Sequence, residues 1–423
     1  KSRYIVTASL RHEGSTKFGE DYKWGNFPAV SAGWRISDEA FMAGTKSWLT
    51  DLKLRADYGV TGNQNFDSYK SLDTMQGFGY YMYNGKSYQV WGPGKNPNKK
   101  LHWEKGKNWN IGLDWALFNG NLYGSFNYYN RKQQDLLGDY TVQVPPYLFT
   151  TTFVNVGTMR NYGFEFDITW NAIKTKDFSY TVNVVGSTMG NKFVSFSNEQ
   201  YEGRSYEDRV STQDPYPFHY LQRLEEGKRV GNFYMWKYAG IDPQGRWIVY
   251  DKDGDKILAD NATDEDRQYV GNGLPKFTGS MTHNFRYKNF DATLFFQTAL
   301  GFDIFNIHDF YYGIKNFQGN VMDKAYSKNL AVTQNPIVSD YFLEPGDYLK
   351  LSSFSLGYTL NLNKKYIDAI RINLTATNLF TITKFSGIDP STYQVNGLEP
   401  GATGSRSYYP STRQFMLGLQ VDF

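Results

Sequence analysis

Three aspartates occupy alternate positions in the stretch DKDGDKI, at Asp251, Asp253 and Asp255. Calcium binds several oxygen ligands, and loops that hold it place carboxylates at such alternate positions. The EF-hand pattern puts its glycine after the third acid, whereas Gly254 precedes Asp255, and Ala262 stands where the twelfth-position glutamate belongs. The stretch therefore predicts a candidate calcium site at the three aspartates, with an exposed acidic hairpin turn as the alternative.

Two stretches are rich in aromatic side chains, GFGYYMYNGKSYQVWG and HDFYYG. Aromatic rings pack against the apolar faces of sugar rings, while polar partners bind the hydroxyls. We predict that six of these aromatics contact substrate: Tyr80, Tyr81, Tyr83, Trp91, Tyr311 and Tyr312. The alternative is that they pack within loops or lie at a membrane interface.

No constellation of catalytic residues stands out. The five histidines are scattered without metal-ligand spacing, and cysteine is absent. The chain contains no nucleophile elbow, zinc helix motif or phosphate-binding loop. The net charge is +3, and no basic run suggests a nucleic-acid partner. The sequence predicts a protein that is not an enzyme, has no catalytic residues and needs no cofactor beyond the candidate calcium.

The elements that must position these residues are strands. The stretch RQFMLGLQVDF alternates apolar and polar residues up to Phe423, and the same period of two recurs along the whole chain. Each run lasts about ten residues, which suits a tilted strand that crosses a bilayer and exceeds the usual soluble strand. Aromatics make up 18% of the chain and often stand near strand ends, as in the girdles of membrane barrels.

Short and long links alternate between the strands. Asn119-Gly120 is a strong hairpin signal within one short link. We count about twelve strands, centred near residues 7, 32, 56, 112, 126, 165, 182, 282, 294, 354, 375 and 419. Short turns at one end and long loops at the other are typical of an outer-membrane barrel. The sequence predicts an all-β, transmembrane, antiparallel up-and-down β-barrel; an antiparallel sandwich is the alternative.

The alternation also predicts which side chains face the lumen. One face of the strands carries charges of both signs: Lys53, Arg55, Asp57, Asp114, Glu165, Asp167, Asp291 and Arg371. Such polar positions solvate a barrel interior and do not by themselves indicate a charged substrate. His283 has the opposite parity, which predicts an outward packing position.

Several blocks together resemble the SusC/RagA-like TonB-dependent transporters of Bacteroidota. They include LKLRADYGVTGNQ, NVGTMRNYGFEFDITW, YVGNGLPKFTGSMTHNFRYKNFD, YLKLSSFSLGYTLN and TATNLFTITKFSGIDP, in family order. Members of this family have a plug domain, a TonB box and roughly twenty-two strands. The resemblance implies that residues 1–423 are the C-terminal part of such a barrel, with the plug, the TonB box and the first strands absent.

The resemblance also implies a function. The expected activity is active import of large nutrients, most often oligosaccharides, across the outer membrane, coupled to the TonB complex and assisted by a SusD-like surface lipoprotein. Phe423 resembles the terminal signal used by barrel assembly machinery, and outer-membrane lipid would surround the strands. The alternatives are a peptide importer of the same family, a passive porin-like channel and a structural barrel subunit of a surface complex.

Overall fold

The structure is a computed structural model that describes residues 3–196, 205–364, 366–393, 397–403, 406–407 and 409–423. Strands dominate it. In chain order they are β1 (Tyr4–Gly14), β2 (Trp24–Arg35), β3 (Leu49–Asn63), β4 (Met75–Tyr83), β5 (Lys86–Pro93), β6 (Glu104–Leu117), β7 (Leu122–Gln134), β8 (Leu137–Thr141), β9 (Thr151–Asn155), β10 (Thr158–Lys174), β11 (Phe178–Thr188), β12 (Gly190–Ser195), β13 (Tyr206–Ser211), β14 (Tyr220–Glu225), β15 (Asn232–Met235), β16 (Lys237–Ile241), β17 (Trp247–Tyr250), β18 (Lys256–Leu258), β19 (Gln268–Asn272), β20 (Phe277–Tyr287), β21 (Phe290–Leu300), β22 (Asp303–Phe305), β23 (Leu343–Pro345), β24 (Tyr348–Lys364), β25 (Ile367–Thr383) and β26 (Gln414–Asp422).

Helices are few and short. The α-helix is α1 (Ile307–Tyr312), and 3₁₀ turns occur at Glu20–Tyr22, Ile36–Asp38, Ala40–Thr45, Phe118–Gly120, Ala259–Asn261, Asp264–Asp266, Asp323–Tyr326, Asp340–Phe342 and Pro390–Thr392. Within the described part of the chain, no helix is both long and apolar enough to cross a membrane.

One large antiparallel sheet contains all twelve predicted strands. Its order is β1-β2-β3-β6-β7-β10-β11-β20-β21-β24-β25-β26, and β12 pairs with β10 beside this path. Each strand of the path pairs with its neighbours in the path, as in an up-and-down barrel. The described residues show no β1–β26 pairing, so these twelve strands form an open wall. The predicted all-β barrel architecture is confirmed, with the wall as the part contributed by this chain.

The two faces of the wall differ in chemistry. Tyr128 and Phe164 lie on the face that the alternation assigns to lipid, with ring centroids 4.8 Å apart, and Phe164 is 61% exposed. On the opposite face Arg55 donates to Asp114 at 2.7 Å and to Asn127 at 2.9 Å. The apolar first face is suited to contact with lipid, while the charged and amide groups of the second satisfy one another or water. We call these the outer and the inner face.

Short and long links segregate to opposite ends of the wall. The turn Phe118–Gly120 has positive φ at Asn119 (56°) and Gly120 (82°), which is the backbone that the Asn-Gly pair predicted. The less regular link after β2 contains the 3₁₀ turns Ile36–Asp38 and Ala40–Thr45. We call this the turn end. The links that contain β4–β5, β8–β9, β12–β19 and β22–β23 leave from the other end, the loop end, as predicted.

The two longest links fold together into a layer with its own hydrophobic core. This loop layer comprises residues 205–276 and 301–347, and it contains the sheets β13-β14-β15-β19 and β16-β17-β18. The fully buried Trp247, Phe310 and Phe342 lie in one core cluster. Within the longest link, β16 pairs with β17 as an antiparallel hairpin. The loop end is therefore packed protein with a defined shape.

Candidate functional site

The loop layer contains a cavity of about 480 Å³, which we call the loop pocket. It is lined by Tyr216, Pro217, His219, Trp236, Ala259, Asp260, Phe310, Asn316, Gln334, Asn335, Pro336, Ile337 and Val338. Aromatic rings alternate with amide and carboxylate groups around it. Pockets that bind small molecules combine an apolar lining with a small number of placed polar groups, and this lining follows that pattern.

The aromatic side of the loop pocket is held by hydrogen bonds and ring contacts. Trp236 lies between β15 and β16, and its indole Nε1 donates to the Thr263 carbonyl at 2.9 Å. The His219 ring meets the Trp236 ring edge to face at a centroid distance of 5.3 Å. Tyr216 and Phe310 meet in the same way at 5.6 Å. Because both segments of the layer contribute, the pocket depends on their packing.

The polar side is fixed by the neighbouring backbone. Gln334 accepts from the Trp247 amide at 2.9 Å and donates to Asp260 at 2.9 Å. Asn316 donates to the Thr333 carbonyl at 2.8 Å, and the Trp247 indole donates to the Asn335 carbonyl at 2.8 Å. Fixed amides and a carboxylate beside the partly exposed rings of His219 and Trp236 suit a neutral, hydroxyl- or amide-bearing ligand.

His219 contributes to the electrostatics of the loop pocket. Burial lowers the pKa of His219, and the nearby Arg267 guanidinium lowers it further, against a smaller opposing effect of Asp264. Arg267 is itself buried and donates to the Tyr234 carbonyl at 2.6 Å. The lowered pKa keeps the imidazole neutral at neutral pH. A neutral imidazole can donate one hydrogen bond and accept another from a ligand.

Four of the six predicted substrate-contacting aromatics lie together on the hairpin β4–β5. Tyr81 stacks on Tyr88 across the hairpin, with ring centroids 5.6 Å apart. The rings are open to solvent, with Tyr80 71% and Trp91 58% exposed, and Tyr83 is exposed as well. We call β4–β5 the aromatic hairpin. An exposed apolar surface of this kind marks a contact site for a partner or ligand, so its substrate role stays a prediction.

The prediction for Tyr311 is wrong. Its side chain is fully buried in the loop-layer core, and its hydroxyl donates to the Gln213 carbonyl at 2.8 Å. No ring face is open to a sugar, so Tyr311 is a packing residue. Tyr312 is partly buried, lies edge-on to Phe317 at 5.0 Å and is not part of the aromatic hairpin. The loop pocket was missed because its walls come from segments about a hundred positions apart in sequence, 216–219 and 334–338.

The three aspartates of the calcium prediction lie in a tight turn, and the calcium site stays a prediction. The Asp251 carboxylate accepts from the backbone amides of Asp253 (3.0 Å) and Asp255 (2.8 Å), and Gly254 has φ 89°. Among the described residues, no group of three or more His, Cys, Asp or Glu side chains converges as a metal site. Asp251 thus stabilises a tight turn between β17 and β18, which was the alternative interpretation.

Phe423 follows β26 at the turn end of the wall. Asp422 pairs with Ala369 near the start of β25, and Phe423 is 88% exposed. Its parity places it on the outer face with Val421 and Leu419. The position is compatible with contact to another protein at this rim; its role as an assembly signal stays a prediction.

The order of the strands, the two-faced wall and the folded loops define an outer-membrane barrel with an elaborate loop end. The chain belongs to the family described as TonB dependent receptor-like, beta-barrel, whose model matches residues 1–379. This family consists of transport proteins of the outer membrane. The predicted outer-membrane location and the prediction that the chain is not an enzyme are therefore confirmed.

Individual relatives agree with the SusC/RagA-like prediction. The chain is 30% identical to TonB-dependent receptor P3 of Formosa agariphila, over 100% of this chain and 44% of that receptor. It is 29% identical to TonB-dependent receptor SusC of Bacteroides thetaiotaomicron, over 100% of this chain and 42% of SusC. The RagAB peptide importer in its closed-closed state superposes with a TM-score of 0.82 at 24% identity, over 99% of this chain and 46% of that one. The chain thus spans less than half the length of these proteins.

Proposed function

We propose that this chain is the substrate-contacting C-terminal wall of an outer-membrane importer of large nutrients, with oligosaccharides as the preferred class. The loop pocket carries the proposal: it places the rings of Trp236 and His219 beside fixed amide groups. The partly exposed rings of Trp236 and His219 can pack against the apolar faces of sugars, and the Asn316 and Gln334 amides match hydroxyls. The matches to SusC and TonB-dependent receptor P3 support an importer.

A peptide is the second candidate substrate. The specific observation in its favour is the fold similarity to RagAB, which is described as a peptide importer. Amide side chains such as Asn316 can bind a peptide backbone as readily as hydroxyls, and a neutral His219 can do the same. The two classes therefore have to be separated by binding measurements.

The remaining parts of the transport machinery would come from outside this chain. The plug, the TonB box and the other strands would occupy the length of the relatives that this chain does not cover. TonB would supply energy through the plug, and a SusD-like lipoprotein would cover the loop end. The aromatic hairpin, whose rings project into solvent, is the candidate contact for that lipoprotein. The barrel assembly machinery would recognise Phe423 as the terminal residue of the last strand.

The experiment is uptake and binding by the full-length transporter. Trp236→Ala removes the pocket indole, and Trp48→Ala removes an exposed indole at the turn end as the matched control. We expect Trp236→Ala to weaken binding of the cognate oligosaccharide by about tenfold or more, because a buried ring contact contributes on the order of 1–3 kcal/mol. Equal affinity of both variants for every glycan and peptide tested would refute the pocket as the substrate site.

A second measurement separates active import from a passive channel. Uptake is followed in cells with and without a functional TonB complex, at equal amounts of assembled transporter. Active import predicts that uptake stops when TonB is lost. Undiminished uptake without TonB would identify a porin-like channel, and normal growth of a deletion strain on all substrates would favour a structural subunit.

A further inference from the structure

Four basic side chains form a row across four neighbouring strands on the outer face. Lys107 on β6 lies directly opposite Lys132 on β7, Lys132 opposite Arg160 on β10, and Arg160 opposite Lys192 on β12. Directly opposite residues of antiparallel strands point to the same side of the sheet. We call these four residues the cation row, and all four are exposed.

The protein compensates the charge of the row only in part, through the interaction of Asp135 with Lys107. Like charges directly opposite each other destabilise a sheet. Within the described chain, none of the four residues forms an ion pair with an acidic side chain, and Arg160 donates only to the Asn130 amide oxygen, at 3.1 Å. Asp135, just beyond β7, is engaged with His102 at 3.8 Å. Four unpaired cations side by side are the arrangement that an external anion would stabilise.

The position of the row is specific along and around the wall. Among the described outer-face positions of the wall strands and β12, lysine and arginine occur in this patch alone, where Lys105 extends the row by one position toward the loops. The outer-face residues nearest the loop end of β20, β21, β24 and β25 are instead apolar: Phe277, Leu300, Leu349 and Ile382. The cations are therefore not a general property of the rim.

The row lies at the level where the surrounding bilayer would change from the headgroup region to the hydrocarbon region. The next residues toward the turn end are the interface aromatics Trp109 and Tyr162, followed by Ile111, Tyr128 and Phe164. A groove of about 460 Å³ follows the row; it is lined by Lys107, Trp109, Asn130, Lys132, Arg160, Lys192 and Val194. Long loops mark the extracellular side of such barrels, so the groove opens at the level of the outer leaflet.

We propose that the cation row binds the phosphorylated headgroup of an outer-leaflet glycolipid of the lipopolysaccharide class. Arginine and lysine form charge-assisted hydrogen bonds with phosphate oxygens, and Arg160 can do so through two parallel N–H groups. Four strands about 4.8 Å apart give a row of roughly 14 Å, long enough to contact more than one phosphate. The apolar rings below the row match the acyl chains. This lipid site is independent of the nutrient that the importer carries.

The test uses the full-length transporter in lipid nanodiscs, with purified lipopolysaccharide as the probe. The variant K107Q/K132Q/R160Q/K192Q removes the row. The control K46Q/K86Q/K100Q/K176Q removes four exposed charges elsewhere. A second variant, K107R/K132R/K192R, keeps the four positive charges while changing three of the side chains. It shows whether substitutions at these positions by themselves disturb assembly of the barrel. We expect the first variant to bind lipopolysaccharide at least about tenfold more weakly than wild type, and the control and the arginine variant to bind like wild type.

Two further arms identify the ligand chemistry. Dephosphorylated lipopolysaccharide should bind at least about tenfold more weakly than the intact lipid to wild type. Inorganic phosphate at millimolar concentration should not displace the lipid, because it lacks the acyl chains that the rings contact. Equal binding of the glutamine variant and the control, no effect of dephosphorylation, or efficient displacement by inorganic phosphate would each overturn the proposal.

Discussion

Trp247 joins the two segments of the loop layer, and its removal tests whether this layer folds around its own core. The side chain is fully buried and contacts Tyr341 and Phe342, with ring centroids 5.1 and 6.1 Å away. Its indole also donates to the Asn335 carbonyl. Truncating a buried tryptophan to alanine costs about 3–5 kcal/mol, and the loss of the indole hydrogen bond adds to that cost.

Two substitutions grade the effect. Trp247→Ala should destabilise the loop layer by about 3–5 kcal/mol, and Trp247→Phe, which keeps much of the packing but loses the hydrogen bond, by about 1–3 kcal/mol. Hydrogen exchange of the full-length transporter in nanodiscs measures this directly. Since about 1.4 kcal/mol corresponds to a factor of ten, amides of β16–β18 should lose protection by roughly a hundredfold or more in Trp247→Ala.

The wall strands supply the internal comparison. Amides of β20, β21 and β24 should keep wild-type protection in both variants, because their hydrogen bonds are within the wall. The control Trp48→Ala, which truncates a half-exposed indole at the turn end, should leave β16–β18 unchanged. Equal protection of β16–β18 in Trp247→Ala and the control would refute a separate loop-layer core. Parallel loss in the wall strands would refute its independence from the wall.

Three further predictions concern local features. Because the pKa of His219 is lowered in the folded loop layer, this imidazole is protonated more readily in the unfolded chain. The loop layer should therefore have its full stability above the unfolded-state pKa of about 6.5 and lose stability as the pH falls below that value. Pulse proteolysis at pH 7.5 and 5.5 should show this loss in wild type and not in His219→Gln; an unchanged pH dependence in His219→Gln would contradict the assignment. Asp251→Asn should destabilise the β17–β18 turn by about 1 kcal/mol, whereas Asp253→Asn should leave its stability unchanged. Added calcium should not stabilise the turn in either variant. Hydrogen exchange measures this, and slower exchange of β18 amides on adding calcium would support the metal site. Gly120→Ala, at φ 82°, should cost about 1 kcal/mol in the thermal stability of the assembled barrel, and a more stable variant would show that this turn does not need positive φ.

The wall could be predicted from the sequence because each strand faces lipid on one side and a polar interior on the other. Lipid on one side and polar groups on the other force side chains such as Phe415, Leu417 and Leu419 into strict alternation, and the pattern is readable at every strand. The match of all twelve strand centres follows from that local rule. Parity also separated the inner charges Arg55 and Asp114 from the outer aromatics without any knowledge of the contacts between them.

The loop layer could not be predicted in the same way because its core forms between distant segments. Tyr311 and Tyr80 look alike in sequence, each beside other aromatics, yet Tyr311 is fully buried and Tyr80 is 71% exposed. The difference comes from the packing of residues 301–347 against 205–276, which no local period reports. The turn at Asp251 is a similar case. The sequence shows three carboxylates, but only the structure shows that the Asp251 carboxylate accepts hydrogen bonds from the backbone amides of Asp253 and Asp255.

The cation row shows how a sequence pattern gains meaning from strand register. As separate residues in the sequence, Lys107, Lys132, Arg160 and Lys192 form no motif, because each is 25 to 32 positions from the next and none lies in a basic run. The antiparallel pairing aligns them within one row. Among the described residues, no carboxylate shares the outer face of these four strands, so positive charge is concentrated at the level of the membrane surface. A soluble sheet would have no use for four aligned cations, because water already solvates them and their mutual repulsion weakens the pairing. In a membrane wall, an anionic headgroup that binds beside the four cations removes this repulsion. The cation row, which destabilises the isolated sheet, can therefore anchor the barrel to lipid.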